Sequence, residues 1–217
     1  MTPMLIDASK VLTRDEVRAV LGSLVRRGKP PPGVRRRELV FRLATCCGLR
    51  VSEITDLRMD DVRCEDGIAR PVIYIRGNGK GKHQRARYVP LWYDEPTLLA
   101  LRAWKADRKV AGADEKAYFL PASGKGGYGR GLSPERRTHR STLRTLFLSA
   151  CRALGKDRCR HLTIHHGRHT CASHLLAAGV DLVSVQAMLG HANPATTAVY
   201  AHVLIDENPS IRTIFGR

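Results

Sequence analysis

Between Ile68 and Leu91 the pattern of the chain changes from helical to extended. Val72-Ile73-Tyr74-Ile75 is a run of β-branched and aromatic residues, which predicts a strand over residues 68–76. Residues 85–91 are its expected partner. Between them, Gly77-Asn78-Gly79-Lys80-Gly81-Lys82 carries the glycines that a hairpin tip requires. On both sides the sequence reads as helix. The expected fold is therefore mainly α with one small antiparallel β-sheet, an α+β chain.

The helical segments are punctuated by residues that start and stop helices. Thr13 and Glu16 form a capping box for a first helix reaching about Arg27, and the prolines of residues 29–33 end it in a stiff loop. A second helix is expected over residues 34–47, stopped by Gly48, and Ser52 is expected to cap a short helix through Leu57. Asp94 caps a helix reaching Val110, with Leu98, Leu101, Trp104 and Ala111 near one face. Residues 123–133, rich in Gly and Lys, are expected as a mobile loop. Further helices are expected over 138–154, 167–178, 181–189 and 194–200. No composition shift splits the chain. The expected organisation is a tail over 1–11, one compact domain over 12–203 and a C-terminal tail over 204–217.

Charge narrows the partners. The chain of 217 residues has 37 Lys and Arg against 20 acidic residues, a formal net charge of +17. Such an excess steers polyanions inward, and nucleic acid is the commonest of them. No apolar run approaches membrane-spanning length and the N-terminus has no signal-peptide pattern, so a cytoplasmic protein with no membrane partner is expected. The six cysteines form no C-x-x-C pair and read as packed small side chains in a reducing compartment. Cys159 with His161, His165, His166 and His169 fits no common zinc spacing, so no metal is expected.

Five segments carry chemistry. Arg50 falls at a turn between two helices, with Glu53 one turn on, where it can orient the guanidinium. Lys80 stands among glycines at the hairpin tip, where backbone and ammonium can approach a ligand closely. His165 and Arg168 are three apart and share a helix face, pairing a proton-transfer group with a forked cation. Gly190 ends a helix and presents His191 from the turn. Tyr200 closes the series. Taken singly, each has an ordinary reading as a surface pair, a solvated turn or a packed side chain.

Taken together and in this order, these segments closely resemble the tyrosine recombinases, the phage-integrase family. The resemblance rests on GLRVSE around Arg50, the GKGK hairpin leading to YVPL, and HHGRHT around Arg168. It continues through LLAAGVDLVSVQAMLGH into ATTAVYAHV around Tyr200. It runs from about Leu12 to Val203, nearly the whole chain.

The resemblance implies the family's catalytic-domain fold and a site-specific recombinase or integrase acting on double-stranded DNA, without metal, other cofactor or ATP. Tyr200 is the implied nucleophile, forming a 3′-phosphotyrosine. Arg50, Arg168 and His191 are implied to hold the phosphate, and His165 to bond it and accept the tyrosine's proton. Lys80 is implied as the general acid. The stretch from Lys80 to Tyr88 is longer than the common pattern, which leaves Lys82 as the alternative. Glu53 is implied to hold Arg50. Lys82, Arg85, Arg87 and Lys125 are expected DNA contacts. Family members usually carry a helical DNA-binding domain before the catalytic one; read as an excised fragment or as a naturally short recombinase, this chain is expected to bind DNA more weakly and more salt-sensitively than a two-domain clamp. A homotetramer on DNA is expected. The apolar Leu204, Ile205, Ile211, Ile214 and Phe215 dock on a neighbouring subunit or on their own.

Two other readings use overlapping features. A type IB topoisomerase would relax supercoils with a similar residue set. A helix-turn-helix DNA-binding protein would use the segment around Gly179 without needing the tyrosine.

Overall fold

The computed structural model describes residues 8–25, 31–77, 86–123 and 132–190, with the backbone alone at residue 8 and over 132–135. Helix α1 spans Arg14–Leu24, and Thr13 caps it as expected. The Thr13 hydroxyl accepts from the Glu16 N–H at 3.1 Å and the Glu16 carboxylate accepts from the Thr13 N–H at 2.8 Å. Helix α2 spans Pro32–Thr45, starting two residues earlier than expected because Pro32 suits a first helical turn. The short α3, Val51–Asp56, is capped by Arg50 instead of Ser52, because the Glu53 carboxylate folds back onto the Arg50 N–H at 2.7 Å.

The expected hairpin is present, shorter than predicted and with a third strand. β1 (Val62–Arg63), β2 (Val72–Ile75) and β3 (Arg87–Pro90) form an antiparallel sheet in that order. Ile73 pairs with Val89 and Tyr74 with Tyr88. Val62, Ile73, Ile75 and Val89 face the core, while the Tyr74 and Tyr88 rings meet on the other face, centroids 5.1 Å apart. Helix α4, Glu95–Val110, is capped by Asp94 as expected. Its Trp104 donates from the indole to the Phe119 carbonyl at 2.7 Å.

The expected loop over residues 123–133 lies mostly outside the described residues; at its two ends β4 (Pro121–Ser123) pairs antiparallel with β5 (Leu132–Arg137), a second, two-stranded sheet beyond the one expected. Helix α5 follows, Arg140–Cys151, with His139 as its cap and a 3-10 turn, Arg152–Leu154, beyond it. After the short α6 (Lys156–Cys159), α7 spans Ile164–Ala177, starting three residues before the expected position. α8 spans Leu182–Leu189, capped by Asp181.

Helix α2 is the centre of the domain. It packs against α7 on one side and α5 on another, and also against α1, α3 and α4. Its last seven residues, from Leu39 through Thr45, are all buried, as a helix surrounded by others requires. Phe41 of α2 stacks on Phe147 of α5, centroids 5.6 Å apart. All six cysteines are free thiols, and all but Cys159 are buried. Burial pushes the Cys46 and Cys47 thiols up, so they sit in the core as small uncharged groups. Ala8–Lys10 forms a 3-10 turn, and Arg158 donates to the carbonyls of Ser9 and Val11, tying this stretch to the body.

The turn from α2 into α3 depends on Gly48. Its φ is +64°, and a Cβ there would lie 2.4 Å from Leu189 Cδ2 and 3.1 Å from Cys171 Sγ. Glycine is needed both for the backbone conformation and for the close approach of α7 and α8. That approach brings the start of α3, the start of α7 and the end of α8 to one place.

Candidate active site

Three consecutive carbonyls at the C-terminal end of α8 each accept from a different arginine. Met188 O accepts from Arg87 Nε at 2.7 Å, Leu189 O from Arg168 Nη2, and Gly190 O from Arg50 Nη2 at 3.1 Å. The C-terminal end of a helix carries partial negative charge, so cations gather there favourably. Arg168 also donates through Nη1 to the Gly48 carbonyl at 2.6 Å, which spans the gap between α2 and α8. Each guanidinium has five N–H groups, so these bonds fix its plane without exhausting its donors.

Glu53 is the counter-charge. Its carboxylate accepts from the Arg50 N–H, from Arg50 Nη1 at 3.0 Å, and from Arg87 Nη1 and Nη2 at 2.8 and 2.9 Å. Burial alone would raise its pKa. The two hydrogen bonds and the charge of Arg87, the Arg50 N–H and the Arg168 charge outweigh burial and hold the carboxyl below the usual range. Three guanidiniums against one carboxylate leave an excess of positive charge. The Arg50 side chain keeps 26% of its surface exposed, against 5% for Glu53 and 8% for Arg87. Arg50 can therefore meet a ligand, while the other two support it.

Helix α7 sets the second arginine. Gly167 packs on α2 so tightly that a Cβ there would lie 2.9 Å from Thr45 Oγ1 and 3.0 Å from Ala44 Cβ. This close crossing seats Arg168 deep enough to reach Gly48. Burial, then the charge of Arg50, brings the Arg168 pKa down to about 9, which still leaves it charged at neutral pH.

His165 is exposed one turn before Arg168. Its pKa is lowered by partial burial and then by the charges of Arg144, Arg168 and Arg50, so the ring is ready to accept a proton at neutral pH. The other histidines of this stretch have structural work. His166 Nδ1 accepts from the Thr163 N–H at 3.1 Å at the start of α7, and His174 Nε2 donates to the Leu12 carbonyl at 2.8 Å. Among the described residues no cluster of His, Cys, Asp and Glu could hold a metal.

The structure thus brings together Arg50, Glu53, His165 and Arg168. Lys80, Lys82, Arg85, Lys125, His191 and Tyr200 lie outside the described residues. Arg87, expected to contact DNA, instead points inward and is taken up by Glu53 and Met188. Period-two alternation on β3 puts it on the same face as buried Val89, which is the signal that could have told the two roles apart. Arg144 was missed altogether. It stands on the exposed side of α5, and its charge is among those that lower the pKa of His165. A cleft of about 210 Å³ is lined by Ser52, Glu53, Asp56, Tyr74, Arg76 and Arg140 among others, but by none of Arg50, His165 or Arg168. The cation cluster does not line that cleft.

Two further arginines are structural and add little to any ligand face. Arg42 pairs with Glu38 and Thr97, and Arg36 is buried against Ser123 and Thr138. Among the described residues no helix is long and apolar enough to cross a membrane.

The model of the phage integrase family matches residues 10–207. The tyrosine recombinase XerA of Thermococcus kodakarensis is 33% identical over 199 residues, covering 91% of this chain and 59% of that protein. The tyrosine recombinase XerC of Chromobacterium violaceum is 37% identical over 165 residues, 76% of this chain and 47% of its own. The chain therefore spans about half to three-fifths of the length of these relatives. The crystal structure of XerA recombinase covers 93% of this chain and 60% of its own, with a TM-score of 0.66 at 22% identity. XerH bound to its difH substrate before cleavage covers 89% and 50%, with a TM-score of 0.60 at 22% identity. A lambda integrase dimer bound to a COC′ core site covers 94% and 62%, with a TM-score of 0.58 at 18% identity. These structural likenesses establish the fold.

Proposed function

The chain belongs to the phage integrase family, and on that premise we propose that it cuts and rejoins double-stranded DNA through a covalent 3′-phosphotyrosine at Tyr200. The observation that carries this reading is the convergence of Arg50 and Arg168 on adjacent carbonyls, with His165 within reach of both charges. Two fixed forks of donors beside a neutral imidazole suit one phosphodiester entering a pentacovalent state.

In the cleavage step the Tyr200 oxygen attacks phosphorus, and its proton passes to His165. The bond from phosphorus to the 5′-oxygen breaks, and that oxygen takes a proton from Lys80, or from Lys82. Arg50, Arg168 and His191 neutralise the charge that builds on the non-bridging oxygens. The phosphodiester energy stays in the tyrosine–phosphate bond, so a 5′-hydroxyl rejoins the strand by the reverse path without ATP. Exchange between two duplexes takes four cleavages, which assigns a homotetramer to the working assembly. The Tn1549 transposon integrase, a structural neighbour in complex with transposon right end DNA, supports DNA as the partner.

The test is a library of nicked duplexes with randomised arms, in which cleavage releases a short fragment and traps the adduct. Wild type is expected to give a protein–DNA species that survives denaturing electrophoresis, and Tyr200→Phe none. An adduct that persists in Tyr200→Phe contradicts the proposal, as does a library that yields no adduct with wild type.

A further inference from the structure

Arg87 has no role in the reaction as written, yet it is the most fully engaged of the three arginines. It is anchored on β3, which follows Lys80 and Lys82 in the sequence. From there both of its terminal nitrogens reach Glu53, one to each carboxylate oxygen, and its Nε reaches the Met188 carbonyl. Gly190 closes α8 at a φ of +66°, and a Cβ there would lie 2.9 Å from the Arg87 side chain. The turn that leads into His191 is therefore packed directly on Arg87.

We propose that Arg87 is a positioning residue for strand cleavage: it locks the Glu53 carboxylate that aims Arg50 and ties β3 to the end of α8. This inference rests on the recombinase reading given above. A planar fork is needed for this task. A bidentate pair fixes the rotation of the carboxylate as well as its distance, and a lysine supplies only a point charge. The opposite edge of the Glu53 carboxylate is then held open for Arg50. The charge of Arg87 is also among the causes that keep Glu53 ionised inside the protein. Strand β3, helix α3 and the end of α8 share this one side chain as their common contact.

The test compares wild type, Arg87→Gln, Arg87→Lys, Glu53→Gln and the double variant Arg87→Gln/Glu53→Gln. The readouts are single-turnover cleavage on the nicked duplex, duplex affinity, thermal midpoint, and the Glu53 carboxyl titration followed by carbon NMR. Arg87→Gln is expected to slow cleavage by about 10–100-fold, the range seen when a supporting hydrogen bond behind an active group is lost. Duplex affinity should stay within about threefold, and cleavage should gain a new loss of rate toward acid pH as Glu53 titrates higher. Because Arg87 acts through Glu53, the double variant should be no slower than Glu53→Gln alone. Arg87→Lys keeps the charge and guards against a folding failure, and it should lose most of the rate as well.

Cleavage at the wild-type rate in Arg87→Lys overturns the proposal. So does a double variant whose loss is the product of the two single losses. An Arg87→Gln defect confined to DNA affinity overturns it too, and returns Arg87 to an ordinary DNA contact. If wild type forms no adduct while the Glu53 titration still moves up in Arg87→Gln, the recombinase reading fails and the positioning of Glu53 by Arg87 stands.

Discussion

Arg50 and Arg168, which are 118 positions apart in the chain, donate to the neighbouring carbonyls of Gly190 and Leu189. The start of one helix and the first turns of another, far apart in sequence, therefore aim guanidiniums at the end of a third. That end is a fixed reference point for both forks.

Because Arg168 must span from Gly48 to Leu189, a lysine cannot replace it. Arg168→Lys loses one of the two anchoring bonds and the fork offered to phosphate. Cleavage is expected to fall by about 10²–10³-fold, the scale for removing one pre-aimed donor from a developing charge. Single-turnover assays check this. Equal rates for the two proteins would mean Arg168 is a structural strut.

Gly48→Ala is expected to cost roughly 2 kcal/mol or more, from a positive φ and a Cβ forced against Leu189. For a domain of this size that lowers the thermal midpoint by roughly 4–8 °C. Because Leu189 supplies a carbonyl to Arg168, cleavage should fall at temperatures where the variant is still folded. Calorimetry and a cleavage assay at low temperature separate the two effects.

Stability should fall as the pH drops from about 7 toward 4. Burial is the main cause that holds His174 down to about 4, with the Leu12 carbonyl opposing it and Arg14 adding to it. The unfolded chain takes up a proton near the ordinary value of 6.5, whereas the folded one does so only near 4. Between those values the unfolded state binds more protons, so stability is lost as pH falls, by about 3 kcal/mol in full. His169, also held at about 4 by burial and by the neighbouring His166, adds a loss of the same sign. Urea unfolding at pH 7 and pH 5 measures the slope. His174→Gln keeps a donor for Leu12 and should flatten the slope in part.

Removing the charge of Arg144 should raise the pKa of His165, since fewer cations then oppose its protonation. Proton NMR of the His165 ring in Arg144→Ala is expected to titrate at higher pH than in wild type. The acid limb of the cleavage profile should shift the same way. A titration that does not move removes Arg144 from the surroundings of the site.

The parts legible in the sequence were those fixed by local chemistry. Thr13 with Glu16, Asp94 and Asp181 announce helix starts through side chains that cap nearby N–H groups. The β-branched run at Val72 announces a strand. Less legible were features settled by long-range partners. β1 is only two residues long and exists because β2 pairs with it, and β4 and β5 find each other across a glycine-rich stretch. Arg50 displaced Ser52 as the cap because Glu53 reaches back to it. Arg87 reads as one more basic residue of a basic hairpin. Its alternation with Val89 signals that it faces inward, but only Glu53 on another element supplies the partner that makes this burial possible.

The identity of the linked residue tests the central claim most directly. Trapped adduct is digested with trypsin and the DNA-linked peptide is sequenced by mass spectrometry. The peptide spanning residues 169–212 contains Tyr200 as its one tyrosine. The account predicts a 3′-phosphate ester on that tyrosine with a free 5′-hydroxyl on the released strand. A linkage to any other residue, or to a 5′-phosphate, contradicts it.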